Sequence, residues 1–109
     1  MTSRTISVAG EFSPSPAGRY MNDGPFPGEL FRDRYLIPAL KEHEEVTVDL
    51  DGTSGFGSSF LEEAFGGLVR KGFSEGQLRR RLHIRSSRKS YEIRVWDYIR
   101  EAVDGTARR

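Results

Sequence analysis

The sequence predicts a small α/β fold with a mostly parallel or mixed sheet and packing helices. Two local patterns carry this. Val46, Val48 and Leu50 alternate with Thr47, Asp49 and Asp51, the period of a half-buried strand. Leu61, Ala64, Phe65 and Leu68 follow at i, i+3, i+4 and i+7, the stripe of an amphipathic helix. The third observation is order. Strand-like and helix-like segments alternate along the chain, which favours parallel pairing through crossover helices. At 109 residues one domain, 1–109, is expected.

The elements follow in turn. Thr5–Val8 reads as a short strand with Ile6 and Val8 inward. Residues 13–28 form a long connection holding four of the five prolines. Asn22-Asp23-Gly24-Pro25 is its turn signal, because Asn and Asp bond their own backbone and Gly allows positive φ. A loop of this length is either functional or poorly ordered. Glu29 to about Lys41 reads as a helix, with Phe31 and Tyr35 four apart, and Leu36 and Leu40 likewise. Pro38 lies inside it and predicts a kink or restart. Val46–Asp51 is the clearest strand.

The clearest helix opens after the turn Gly52–Gly57. Ser59 and Glu62 have the spacing of a capping box. Gly66-Gly67 is costly in a helix interior, about 2 kcal/mol against alanines, and suggests close packing on a neighbour. Gly72 is expected to end this helix. Ser74 to Arg80 reads as a short helix capped by Ser74 with Gln77. Arg81–Ser86 reads as a strand with Leu82 and Ile84 inward. Ser90 is expected to cap a last helix whose buried stripe is Ile93, Trp96, Ile99, Ala102 and Val103. Gly105 would stop it, leaving 105–109 as a frayed tail.

Composition narrows the function classes. There is no cysteine, which removes disulfides, zinc–thiolate sites, iron–sulfur clusters and a cysteine nucleophile. No apolar run approaches the length of a membrane span, and Met1–Gly10 has no signal-peptide core, so a cytoplasmic protein without membrane contact is expected. The net charge of +1 hides a split. Residues 41–65 carry one basic and seven acidic side chains, whereas 66–109 carry twelve basic and five acidic. Such asymmetry points to a partner surface or to attraction within the fold.

The chemistry-bearing motifs are few. Gly52–x4–Gly57 mimics half of a phosphate-binding loop, but Ser58 stands where the lysine should follow and Phe60 where a dinucleotide loop needs glycine. Gly57-Ser58-Ser59-Phe60-Leu61 is not a nucleophile elbow. His43 and His83 have no metal-ligand spacing, and Asp49 and Asp51 read as solvent-facing carboxylates before a magnesium pair. No metal and no cofactor are expected. Arg79, Arg80, Arg81, Arg85, Arg88, Lys89 and Arg94 form a basic segment in which Tyr91 is the only aromatic close by. That reads first as a solvated face and next as an attraction to an acidic partner or to nucleic acid.

Val48-Asp49-Leu50-Asp51-Gly52 and Gly57-Ser58-Ser59-Phe60-Leu61-Glu62-Glu63-Ala64-Phe65-Gly66-Gly67-Leu68 resemble the bacterial STAS-like domain of unknown function, a relative of the anti-sigma-factor-antagonist (STAS) fold. The resemblance extends through Arg19, Asp23-Gly24, Gly28-Glu29, Phe31-Arg32 and Pro38-Ala39-Leu40. It implies a small non-catalytic α/β module. In the antagonists a serine in an Asp-Ser-Ser-Gly motif is phosphorylated by a histidine-kinase-like ATPase, and the complex breaks. Ser58 and Ser59 match the serine pair; Gly57 replaces the aspartate and Phe60 the glycine. Helix capping would account for both serines without a switch.

Three functions compete. The first is a non-enzymatic regulatory module docking onto a protein partner through residues 55–65, with Ser58, Ser59, Gly57, Phe56, Phe60 and Glu62 as its site. Exposure of Phe56 and Phe60 is its anchor, and burial of both would remove it. The second is a nucleic-acid-binding or defence-associated module using the Arg79–Arg94 face. The third is an enzyme or small-ligand binder around the loop, with Arg19, Asp23, Gly24, Gly28 and Glu29. A homodimer is compatible with any of them.

Overall fold

A computed structural model describes residues 2–107. Strands β1 (Ser3–Ser7), β2 (Glu45–Asp49) and β3 (Leu82–Arg85) form one parallel sheet in the order β1-β2-β3. Ile6 lies beside Val48, and Val48 beside Ile84. Helix α1 (28–42) joins β1 to β2. Helices α2 (58–70) and α3 (Glu75–Arg81) join β2 to β3, and α4 (Lys89–Ala107) closes the chain. The parallel sheet and the alternating order agree with the sequence reading.

The strand pattern sets the layers. Ile6, Val46, Val48 and Leu82 are buried, while Thr5, His83 and Arg85 are exposed between them. One face of the sheet therefore carries the core, with Phe31, Phe60, Phe65, Leu68, Val95 and Ile99 from the helices packed against it. The other face is polar and open. Parallel sheets are usually covered on both faces.

Pro38 explains the form of α1. It cannot donate to the Arg34 carbonyl, so the helix widens before it into a π-helical stretch, Arg32–Leu36, and the Ile37 N–H reaches the Arg32 carbonyl. The helix bulges rather than restarting, and Ile37–Glu42 continues it. Ser74 and Gln77 form the expected capping box of α3, with bonds of 3.1 and 2.9 Å.

Several local expectations are corrected. Strand β1 begins at Ser3 and gives way at Val8 to a π-helical turn, Val8–Phe12. The box expected at Ser59 is absent: Gly57 is the N-cap of α2, with no side-chain cap bond. Glu62 is drawn away to arginines. Ser90 lies within α4, which begins at Lys89. Gly105 does not stop α4, which runs to Ala107; the remainder of the expected tail, 108–109, lies outside the described residues. The buried stripe of α4 is Val95, Ile99 and Ala102, spaced four and three apart, and Ile93 is 53% exposed. The apolar residues at 93 and 96 shifted the predicted phase because the helix carries apolar groups on more than one side.

Candidate functional site

The residues of the loop and of α2 converge on one charged cluster. Helix α2 widens into a π-helical stretch, Glu62–Gly66, that brings Glu62 and Glu63 to the same neighbourhood. Arg32 of α1 donates to Glu63, and the pair is buried, at 4% and 6% exposure. Arg19 from the loop donates to Glu62 and, at 3.3 Å, to Glu63. Arg70, from the end of α2, donates to both oxygens of Glu62 at 2.7 and 3.1 Å. Burial pushes the Glu62 carboxyl up, but the hydrogen bonds from Arg70 and Arg19 outweigh it and hold it below the ordinary carboxylate value.

Three glycines make room for this cluster. A Cβ on Gly28 would sit 2.5 Å from the Phe60 carbonyl, so α1 can cross α2 only with glycine there. A Cβ on Gly66 would meet Glu62 Oε2 at 2.6 Å, and one on Gly67 would meet Arg32 Nη1 at 2.6 Å. The Gly66-Gly67 pair thus reflects close packing, as the sequence suggests, but against arginine and carboxylate rather than apolar side chains. Arg32, Glu63 and Arg70 were absent from the candidate residues read in the sequence. The glycine pair was the signal that something bulky packs there.

The 13–28 loop is built, not loose. Asp23 Oδ2 accepts the N–H groups of Arg19 and Tyr20 at 3.0 and 2.7 Å. Glu29 Oε1 accepts the Met21 N–H at 3.0 Å. Backbone bonds join Gly28 to Gly18 and Glu29 to Arg19. Gly24, at φ +149°, turns the chain where a side chain would be strained. Arg19, Asp23, Gly24, Gly28 and Glu29 therefore shape the loop. The loop presents Tyr20, Met21 and Phe26, which are 51%, 48% and 37% exposed.

The turn before α2 differs from expectation. Phe56 and Phe60 are 7% and 0% exposed, so neither anchors a partner. Phe60 packs 6.0 Å from Phe31, and Phe56 lies edge-on to Tyr91 at 5.3 Å. They are the apolar plugs under both ends of the turn. Gly57, Ser58 and Ser59 are exposed. Neither serine hydroxyl has a hydrogen bond among the described residues, so capping does not account for them. They lie one turn before Glu62 and Glu63.

The remaining candidates disperse. Asp49 pairs with Arg85 at 3.0 Å, and Asp51 Oδ1 accepts the N–H and hydroxyl of Ser87. These Ser87 bonds, backbone first, hold the Asp51 carboxyl below its ordinary value. Asp51 and Ser87 line a cleft of about 90 Å³ with the turn Gly52–Gly55 and Tyr91. His83 bonds Glu45 at 3.0 Å on the open sheet face, while His43 sits at the end of α1. Of the seven cations of 79–94, six are exposed. Arg81 turns inward to the carbonyls of Leu40, His43 and Glu44. Arg79 lies over Trp96, and Arg88 over Tyr91. Arg80, Lys89 and Arg94 are exposed.

The model of the STAS-like domain of unknown function matches residues 27–92, from the first turn of α1 to the start of α4. The chain belongs to this family. The matched span contains all of α1 and α2, so Arg32, Glu62, Glu63 and the three packing glycines fall inside it, and the tip of the loop falls outside. No curated protein and no solved structure matches the chain. Among the described residues no helix is long and apolar enough to cross a membrane.

Proposed function

We propose that this STAS-like domain is a non-enzymatic regulatory module that docks onto a protein partner and is gated by phosphorylation at the start of α2. The observation that carries this reading is the pair Ser58 and Ser59: exposed, in the first turn of α2, and unbonded within the fold. A capping serine would lose a structural bond on modification; these lose none. A phosphate there sits at the favourable end of the helix dipole.

The neighbouring surface supports docking, at a different place from the one the sequence suggested. With Phe56 and Phe60 buried, the loop that Arg19 ties to α2 offers the exposed apolar groups Tyr20, Met21 and Phe26. Arg19 ties that loop to Glu62, four residues after Ser58. A phosphoserine would compete with Glu62 for the Arg19 guanidinium, because charge-assisted bonds to phosphate are strong. Phosphorylation would then move the loop and change the docking surface together. By the family resemblance the partner is a histidine-kinase-like ATPase or a similar regulator.

The test uses a native lysate with ATP, followed by mass spectrometry of phosphate on the bait. Phosphate on Ser58 or Ser59, and a partner captured by wild type but lost with Ser58→Asp and with Met21→Glu, is the expected result. A partner held equally by all three baits, with no phosphate at either serine, overturns the reading. Arg81, turned inward to three carbonyls, is withdrawn from the basic segment that a nucleic acid would meet.

A further inference from the structure

We infer that Arg19 is a transferable guanidinium: a phosphate monoester at the start of α2 draws it away from Glu62 and Glu63, and Arg70 keeps both carboxylates paired when it goes. The ligand rests on the reading of Ser58 and Ser59 above, whereas the exchange of arginines rests on the cluster alone. Each carboxylate oxygen has its own donors. Glu62 Oε1 accepts from Arg19 Nη1 and, at 3.1 Å, from Arg70 Nη2. Glu62 Oε2 accepts from Arg70 Nη1 at 2.7 Å. Glu63 Oε1 accepts at 3.3 Å from both Arg19 Nη1 and Arg70 Nη2. Glu63 Oε2 accepts from Arg32 Nη1.

The three arginines are therefore not equivalent. Without Arg32, which also bonds Asp33, the buried Glu63 has no donor to Oε2 among the described residues. Without Arg70, Glu62 Oε2 has none. Without Arg19, each of the four oxygens still has a guanidinium partner. Arg19 is thus the cation that the cluster can give up without orphaning an acceptor. It can also meet a ligand. Its side chain is 30% exposed, against 5% for Arg32. Arg70, similarly exposed, spends both Nη groups on the carboxylates. Arg19 spends only Nη1; its Nε and Nη2 have no acceptor among the described residues. That free edge is a two-pronged donor. The bonds that shape the loop, from Asp23 and from the Gly18, Arg19, Gly28 and Glu29 backbones, do not use the guanidinium. The loop therefore keeps its shape when the side chain moves.

Chemistry selects the ligand. Ser58 is exposed and lies four residues before Glu62, one helical turn away. A helical side chain leans toward the N-terminus of its helix, so Glu62 covers the turn that holds Ser58 and Ser59. A phosphate there carries close to two negative charges and three acceptor oxygens. It repels the Glu62 carboxylate and matches the free Nε–Nη2 edge of Arg19 as a bidentate acceptor. Arg19 then passes from a carboxylate that has a second arginine to a dianion that has none. Arg70 sets how readily this happens. With it, Glu62 stays compensated; without it, Glu62 holds Arg19 back.

The test has two arms on the full chain. The first needs no phosphate: urea denaturation of Arg19→Ala, Arg70→Ala and the double variant forms a double-mutant cycle. Arg19→Ala is expected to lower the folding equilibrium constant about threefold or less in the wild-type background, and about tenfold or more in the Arg70→Ala background. Equal effects in the two backgrounds would show that Arg70 does not stand in, and would overturn the exchange. The second arm installs phosphoserine at Ser58, or at Ser59, by genetic encoding. It follows the Arg19 Nε–H signal by NMR, assigned by its loss in Arg19→Ala. That signal is expected to shift and its exchange with water to slow about tenfold, with both effects cut severalfold by Arg70→Ala. Arg70→Gln, which keeps bulk but not charge, serves if Arg70→Ala loosens α2. No Arg19 response to phosphoserine at either position, or a response that loss of Arg70 leaves unchanged, overturns the inference. So does the same shift in the unmodified protein with about 1 mM inorganic phosphate, which would make a free anion the ligand. Because the phosphate is installed, a lysate that leaves both serines unmodified overturns the proposed gating and not the exchange.

Discussion

At the outer edge of β1, the Thr5 carbonyl and the Ser7 N–H are held by Arg4 and Glu11. At the outer edge of β3, Leu82 is buried and Ile84 lines a groove beside Trp96. The same contrast extends beyond the strands. The β1 side, with the loop, α1 and α2, pairs its charges densely: Arg19, Arg32 and Arg70 with Glu62 and Glu63. The β3 side leaves Arg80, Lys89 and Arg94 in solvent and exposes Ile93. The two sides of one small sheet are thus finished differently, one by ion pairs within the fold and the other with cations left in solvent.

The largest break in this comparison is Glu63→Ala on the closed side. It leaves the buried Arg32 guanidinium with Asp33 as a carboxylate partner but without Glu63, and a loss of about 3 kcal/mol, the low end for breaking a buried pair, is expected in urea denaturation. Gly28→Ala comes next. Its Cβ would meet the Phe60 carbonyl at 2.5 Å, and overpacking of this kind costs about 1–3 kcal/mol. If either change proves neutral, the closed side is not held by this cluster.

Acid should act on the closed side through two carboxylates. Glu62 titrates below its ordinary 4.5 because the bonds from Arg70 and Arg19 outweigh burial, and Glu11 titrates below 4.5 through its bond to Arg4. Both groups therefore favour the fold when ionised. Their contributions are complete above the ordinary value and are lost as pH falls through the lowered one. Thermal melts from pH 6 to pH 2.5 should show a steeper acid loss for wild type than for Glu62→Gln. Parallel curves would mean that Glu62 ionisation does not support the fold.

Arg4→Ala is expected to be small in stability, within about 1 kcal/mol, because the pair is partly exposed. Its visible effect is local. Hydrogen exchange at Ser7 should quicken, and the difference between the two edges should narrow. The smallest effect is that of Ile93→Glu on folding, within about 0.5 kcal/mol, since this side chain is exposed. A large loss there would mean that Ile93 packs in solution and that the β3 side is less open than described.

Much of the fold was legible locally. Val46, Val48 and Leu50 are all buried, as their alternation predicts, and so are Leu61, Ala64, Phe65 and Leu68. Ser74 caps α3 as its spacing to Gln77 predicts. The site was legible only in part. Phe56 and Phe60 beside two serines suggested an exposed docking turn, yet their burial depends on Phe12, Phe31 and Tyr91, which come from distant parts of the chain. The Ser59–Glu62 spacing suggested a capping box, yet Arg19 and Arg70 bind that carboxylate instead. Charge-assisted bonds to arginine outcompete a single bond to a backbone N–H.

The sequence by itself determined the strands, the main helices, their order and the parallel sheet, because these follow from periodicities of two and of 3.6 and from connections long enough to cross over. Tertiary structure alone decided which charges meet, why Gly66 and Gly67 are small and which way Phe60 turns. Those outcomes depend on contacts between residues tens of positions apart, such as Arg19 with Glu62, and no local spacing in the chain encodes them.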